Sequence, residues 1–426
     1  MRRSNWLYVL NQALTMDLVF WIVVENLFLT TVKNFTAFDI VLSLMAGMAG
    51  SLLFYPLINL IARKTPRRFS LIARPVMRTI AMVMFTLCNT IYGVIVANII
   101  YISAGTFGTV HNVMLKNNLK AQNREKEYLK WQSYGQLGYS ILTLIVSFTS
   151  GFLFNVSPYL PMILGIVVIV FGLVTSILYK DVDVEDVKEK SDTANSSIKS
   201  LLKNKTMLII LFMNILLVGV YIFTQTKASL LIQQICEFSN LELAKTSLIV
   251  TLLVGLTRLV RVISNVVFAK INHKFKDESK CLYCVSVAML LSNILFAIGA
   301  LINANYIVKL VIITIGFCLI TGFRDVYNVL ENKIIITNIE PDKQQQAFVL
   351  TSVYHNFGRV VVEGLCLVGL GFFPLKIVYA GLLVLTFAHV FVSWRMGKLF
   401  KRNKQVDLVK ETESAENKPE NPNKDE

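Results

Sequence analysis

The sequence predicts an all-α polytopic membrane protein: twelve transmembrane helices arranged as two pseudo-symmetric bundles of six. Composition is the first reason. The 426 residues are 54% hydrophobic and 16% charged, whereas soluble domains hold about 45–50% apolar and about 25% charged residues. Mean hydropathy is +0.58. Second, apolar stretches of about 20 residues, the length that crosses a bilayer as a helix, recur along the whole chain. Third, a single long polar break, DVDVEDVKEKSDTANSSIKSLLKNKT, divides those stretches into two equal sets.

Each element follows from its own residues. Segment 1 (7–31) begins after Arg2 and Arg3, and no small-residue cleavage site follows it, so it is expected to stay as a helix. Segments 2 to 6 are 38–62, 70–92, 94–116, 130–154 and 159–179. Segments 7 to 12 are 206–234, 245–270, 281–303, 306–331, 347–372 and 376–395. The expected domains are 1–180 (first bundle), 181–205 (cytoplasmic linker), 206–396 (second bundle) and 397–426, a polar Pro/Asn/Glu-rich tail expected to be disordered.

The formal charge of +15 would suggest nucleic acid as the partner of a soluble protein. Here its distribution matters more than its sum, and no nucleic-acid partner is expected. The loops ARKTPRR (62–68), KNNLKAQNREKEYLK (116–130), the linker, AKINHKFKDESK (269–280) and KRNK (401–404) alternate with loops whose basic residues are Lys33, Lys245 and Lys376. Positive charge concentrates on the cytoplasmic side. Both termini are therefore expected in the cytoplasm and the helix count is expected to be even, in a monomeric protein of the plasma membrane.

Catalytic and metal readings lack motifs. Six cysteines lie mostly in apolar runs, and the one CxxC, Cys281 to Cys284, has no second pair or nearby histidine cluster. The four histidines are scattered. No Gly-rich phosphate loop precedes a Lys-Ser/Thr, and neither HExxH nor GxSxG occurs. The protein is expected to be no enzyme and to use no cofactor or metal. A lipid-handling enzyme or scaffold is the alternative outside the transporter class.

An internal repeat links the two sets of helices. TFGTVHNVM (106–114) matches GFRDVYNVL (322–330) at an offset of 216, and WQSYGQLGYS (131–140) matches TSVYHNFGRV (351–360) at 220. Two halves of six helices related by an axis along the membrane normal resemble the major facilitator superfamily over nearly the whole chain. The family's loop between helices 2 and 3 reads G-x-x-x-D-[RK]-x-G-[RK]-[RK]. Here Lys64, Arg67 and Arg68 keep its basic positions, while Asn59, Arg63 and Pro66 replace its Gly, Asp and Gly. The resemblance implies that segments 3, 6, 9 and 12 sit outside and the others line a central cavity. The charges agree with that implication. Segments 6 and 9 carry none, segment 12 has His389, and segment 3 has Arg74 and Arg78, expected to snorkel to the cytoplasmic surface.

Ionisable residues inside a membrane are costly and mark function. By depth, Asp17, Arg258 and Arg359 are expected near the midplane, with Arg261 and Glu363 one turn away and Glu25 and Lys227 towards the outer side. Arg258, Arg261 and Arg359, with Trp21 and Tyr354, are the expected substrate-binding residues, Arg258 and Arg261 needing either an anion or an acid from another helix. Asp17 and Glu25 are the expected proton carriers, with a salt-bridge role as the alternative for Asp17. Arg324, Asp325, Glu331 and Glu363 are expected gating or structural charges. Arg324 is expected to pair with Asp325 or Glu331, and Arg359 either to bind solute or to neutralise Glu363 at i+4. Gln12, Gln136, Asn112, Asn328 and Asn356 add neutral polar groups. The function expected is secondary active transport of a small polar, anionic or zwitterionic solute by alternating access, with proton coupling. The alternative is a proton-antiporting exporter of drugs or lipophilic compounds, in which Asp17 and Glu25 would read cations. Segment 5, GQLGYSILTLIVSFTSG, lacks the Gly-Pro pair usual in such exporters.

Overall fold

A computed structural model describes residues 2–124, 127–179, 200–271, 278–339 and 343–398. Most of the expected linker, the expected tail and the KRNK loop lie outside the described residues. The described chain is all-α, without strands. The helices are α1 (Arg2–Thr15), α2 (Trp21–Thr31), α3 (Ala37–Lys64), α4 (Arg67–Leu87), α5 (Ile91–Ala104), α6 (Thr109–Lys120), α7 (Tyr128–Val156) and α8 (Leu160–Leu178). After the linker come α9 (Lys205–Leu217), α10 (Phe223–Phe238), α11 (Leu243–Ile271), α12 (Glu278–Leu301), α13 (Tyr306–Asn338), α14 (Gln344–Phe372) and α15 (Leu375–Gly381).

Nine helical stretches among the described residues are long and apolar enough to cross a membrane. They correspond to segments 2–6, 8–10 and 12, and the other three expected segments differ for physical reasons. Segment 1 is broken at residues 16–20 between α1 and α2. Segment 7 is interrupted by a π turn at Val218–Ile222 between α9 and α10. Segment 11 is the unbroken 29-residue α14, which carries Arg359 and Glu363. Broken or charged helices survive in a membrane where they face protein or water rather than lipid.

Local chemistry sets several boundaries. Thr36 and Asp39 form a reciprocal capping box that starts α3. Asn204 caps α9 through bonds from the Thr206 and Met207 amides. The repeat is less regular in space than in sequence. Segment 10 is the single helix α13, whereas segment 4 passes through a 3-10 turn at Gly105–Gly108 before α6.

Arg74 and Arg78 on α4 correct the expected snorkelling. Arg78 is 5% exposed and its guanidinium donates to the Thr15 carbonyl. Arg74 donates to the Met16 carbonyl at 3.1 Å. Breaking helix 1 strands the carbonyls at the end of α1, and two cations at that negative terminus satisfy them.

Candidate functional site

The break after α1 presents Asp17 to the interior. Its carboxylate accepts hydrogen bonds from the Tyr101 hydroxyl and from its own neighbour's amide, Leu18, at 2.9 Å. The Tyr139 hydroxyl reaches the second oxygen at 3.4 Å. Arg78 lies over the Tyr101 ring at 5.6 Å. One pair of arginines thus fixes both the end of α1 and the phenol that holds Asp17.

Opposite lie the arginines of α11, α13 and α14. Arg258 is in electrostatic reach of Asp17, Tyr139, Arg261 and Arg324. Arg359 is in reach of Tyr101, Tyr221, Glu363 and Arg324. Arg258 thus reaches Asp17, and Arg359 is linked to the same surroundings through Tyr101 and Arg324. The Nε atoms of Arg258 and Arg359 are buried without a hydrogen-bond partner among the described residues.

Arg261, grouped with them from sequence, is committed elsewhere. Its Nε donates to Asp325 Oδ2 at 2.5 Å, in an ion pair whose side chains are 23% and 7% exposed. The acid expected to serve Arg324 thus serves Arg261. The Arg324 guanidinium lies over the Tyr221 ring at 4.4 Å, on the π turn. Glu331 is 8% exposed and accepts from Asn214 on α9. Glu363 is in electrostatic reach of Arg359. Neither of its oxygens has a hydrogen-bond partner among the described residues, so Arg359 does not neutralise it through a direct bond. Trp21 is a packing residue: it is 1% exposed and stacks on Phe85 with ring centroids 4.2 Å apart. Tyr354 is partly buried against the core. Gln12 and Asn112 are engaged near the start of helix 1, with His111 at 2.5 Å and the Tyr8 hydroxyl at 3.1 Å respectively.

Glu25 sits in a seam between α2 and α10. Lys227 Nζ is 3.8 Å from Glu25 Oε1, and the lysine side chain is fully buried. Asn26 Nδ2 donates to the Thr226 carbonyl at 2.7 Å and to Ser229 Oγ at 2.5 Å. Gln233 Nε2 donates to Thr30 Oγ1 at 2.7 Å. A second seam joins α7 to α11, where Asn155 donates to the Ala244 carbonyl at 3.0 Å and accepts from Ser247 at 2.5 Å. Both seams lie at the end of the helices away from the basic loops.

A family model described as Major Facilitator Superfamily matches residues 119–363. The chain belongs to the major facilitator superfamily. No individual curated protein matches it. Among solved structures, the nucleoside transporter NupG is similar with a TM-score of 0.70 at 13% identity, over 93% of this chain and 98% of that one. A D-xylose-proton symporter gives 0.71 at 13% identity, over 92% and 97%. A bacterial homologue of the iron transporter ferroportin, in an inward-facing state, gives 0.69 at 12%, over 93% and 99%. At these identities the likeness is one of fold. Sequence reasoning missed Tyr101, Arg74 and Arg78 as partners of the helix-1 break, although two arginines at i,i+4 in an apolar helix were a visible signal.

Proposed function

We propose that this chain is a secondary active transporter of a small anionic or zwitterionic solute, working by alternating access between bundles 1–180 and 206–396. The observation that carries the reading is the pair Arg258 and Arg359. Two half-buried arginines on separate helices, each with a buried Nε that has no hydrogen-bond partner among the described residues, are costly without an anion to join them. Asp17 supports the same reading, because the Tyr101 and Tyr139 hydroxyls already occupy its oxygens and a cationic drug would have to compete for them. Arg261, Arg324, Asp325 and Glu331 hold the helices that present the site. Both termini and the basic loops lie in the cytoplasm in this reading. The two seams then close the outer side, and the structure is inward-facing. The solute draws on the proton gradient.

A substrate screen tests the reading. Organic anions, sugars and peptides, then lipophilic cations, are added to purified protein while its thermal stability is followed, and the hits are assayed for uptake into proteoliposomes. An anion is expected to stabilise the protein, and R258Q and R359Q are each expected to abolish its uptake while expression stays intact. Stabilisation by lipophilic cations alone, with both variants fully active, would leave the exporter reading in its place. Sidedness has its own check. A reporter fused after Lys190 or Lys404 is expected to read cytoplasmic and one between Asn155 and Pro158 external; a cytoplasmic reading at 155–158 would overturn the topology.

A further inference from the structure

Glu363 is the one site carboxylate whose two oxygens are both buried without a hydrogen-bond partner among the described residues. It is 0% exposed and stands in the second half of the membrane helix α14. A carboxylate anion so placed must be offset by a nearby cation or must take a proton. The charged and titratable groups around it are few. Lys227 comes from α10, Glu25 from α2 and Arg359 from its own helix. Tyr379 of α15 and Cys366, three residues on, are its neutral neighbours. Arg324 and Tyr221 lie beyond Arg359.

Lys227 is therefore in electrostatic reach of two acids on different elements. It is held to Glu25 by charge at 3.8 Å, with Asn26 Oδ1 as a long acceptor at 3.4 Å. Glu25 belongs to the first half of the chain, and Lys227 and Glu363 belong to the second. Whenever the α2–α10 seam parts, Glu25 leaves with the first half of the chain, and Lys227 stays in the second half, to which Glu363 also belongs. An unpaired buried ammonium is costly, so Lys227 then needs Glu363 as its anion.

From this placement we propose that Glu363 is the proton-binding site of the carrier, with Lys227 as the switch that couples it to the outer seam. With a proton on Glu363, Lys227 belongs to Glu25 and the seam is shut. When Glu363 gives its proton to water in the interior space reached past Arg359, its anion draws Lys227 away from Glu25 and the seam opens. No bond other than that O–H is broken. The assignment replaces Asp17 and Glu25 as proton carriers and rests on the reading of the chain as an alternating-access carrier.

The test needs no substrate. Spin labels are placed at Phe38→Cys and Phe238→Cys, exposed positions at the closed end of the two halves, in a full-length chain with its native cysteines replaced. The distance between them is measured in lipid nanodiscs from about pH 5 to about pH 9, a range that spans the ordinary carboxylate pKa and several units above it. A longer-distance population is expected to grow with pH, E363D is expected to keep the response, and E363Q is expected to hold the short distance at every pH. K227Q is expected to lose the response as well. A pH-independent distance in the parent chain, or an E363Q variant that responds like the parent, would overturn the proposal. Anion uptake with no pH response would remove the proton site and leave the transport reading standing. A response lost in E363Q, in a protein that no anion binds, would do the reverse.

Discussion

Replacing Asp325 with alanine is expected to destabilise the purified protein by about 3–5 kcal/mol, the usual cost of leaving one partner of a buried ion pair without the other. Asp325 and Arg261 meet at 2.5 Å with side chains 7% and 23% exposed, so little solvent is available to take over from the missing carboxylate. The loss arises from the uncompensated arginine more than from the attraction itself, because desolvating two charges already consumes most of the Coulomb gain. The double variant R261L/D325L should therefore recover most of the stability that D325A loses. Thermal unfolding in detergent, run on both single variants and the double, checks this as a double-mutant cycle. A D325A protein within about 1 kcal/mol of wild type would show that other groups already compensate Arg261.

Two glycines with similar local crowding should fail in different ways. A Cβ on Gly47 of α3 would lie 2.3 Å from Asn98 Cβ on α5, with the Asn98 backbone at 3.4 Å. A Cβ on Gly151 of α7 would lie 2.3 Å from Thr251 Oγ1 and 3.2 Å from the Leu248 Cα on α11. Both sites leave no room for a larger residue without moving a helix, and overpacking costs about 1–3 kcal/mol or more. Gly47 joins two helices of the same half, so G47L is expected to lower yield and melting temperature. Gly151 lies in the seam between the halves. G151L is expected to keep its melting temperature within a few degrees but to wedge that seam open, and uptake should fall to background. Uptake by G151L at the wild-type rate would show that the α7–α11 seam does not have to close in each cycle.

Much of the architecture was legible in the residues. Apolar stretches of bilayer length and charge-free segments 6 and 9 depend on local composition and spacing, which hydrophobic transfer reads directly. The depths assigned to Arg258 and Arg359 rest on a constant rise per residue along a helix, a premise that does not hold for Asp17, which lies in the break after α1. That Arg258 reaches Asp17 follows the family's arrangement of helices. The breaks in segments 1 and 7 were not legible, because isolated residues such as Leu18 or Val218 carry no helix-breaking signal. Those breaks exist where Arg74 and Arg78 can satisfy the Thr15 and Met16 carbonyls, and those arginines come from another helix.

Composition, apolar stretches and the internal repeat thus pointed to a polytopic membrane protein of two sets of helices with charge inside it, and the resemblance to the major facilitator superfamily pointed to a carrier. They could not determine which charge meets which. Adjacent residues such as Arg324 and Asp325 point about 100° apart on a helix and do not face each other. An arginine placed four residues before an acid, as Arg359 before Glu363, has the less favourable order for pairing. Partners were therefore chosen between helices: Arg261 for Asp325, Asn214 for Glu331 and Lys227 for Glu25. A buried charge is satisfied by whichever group the packed helices bring within a few ångströms, and only the tertiary structure decides that distance.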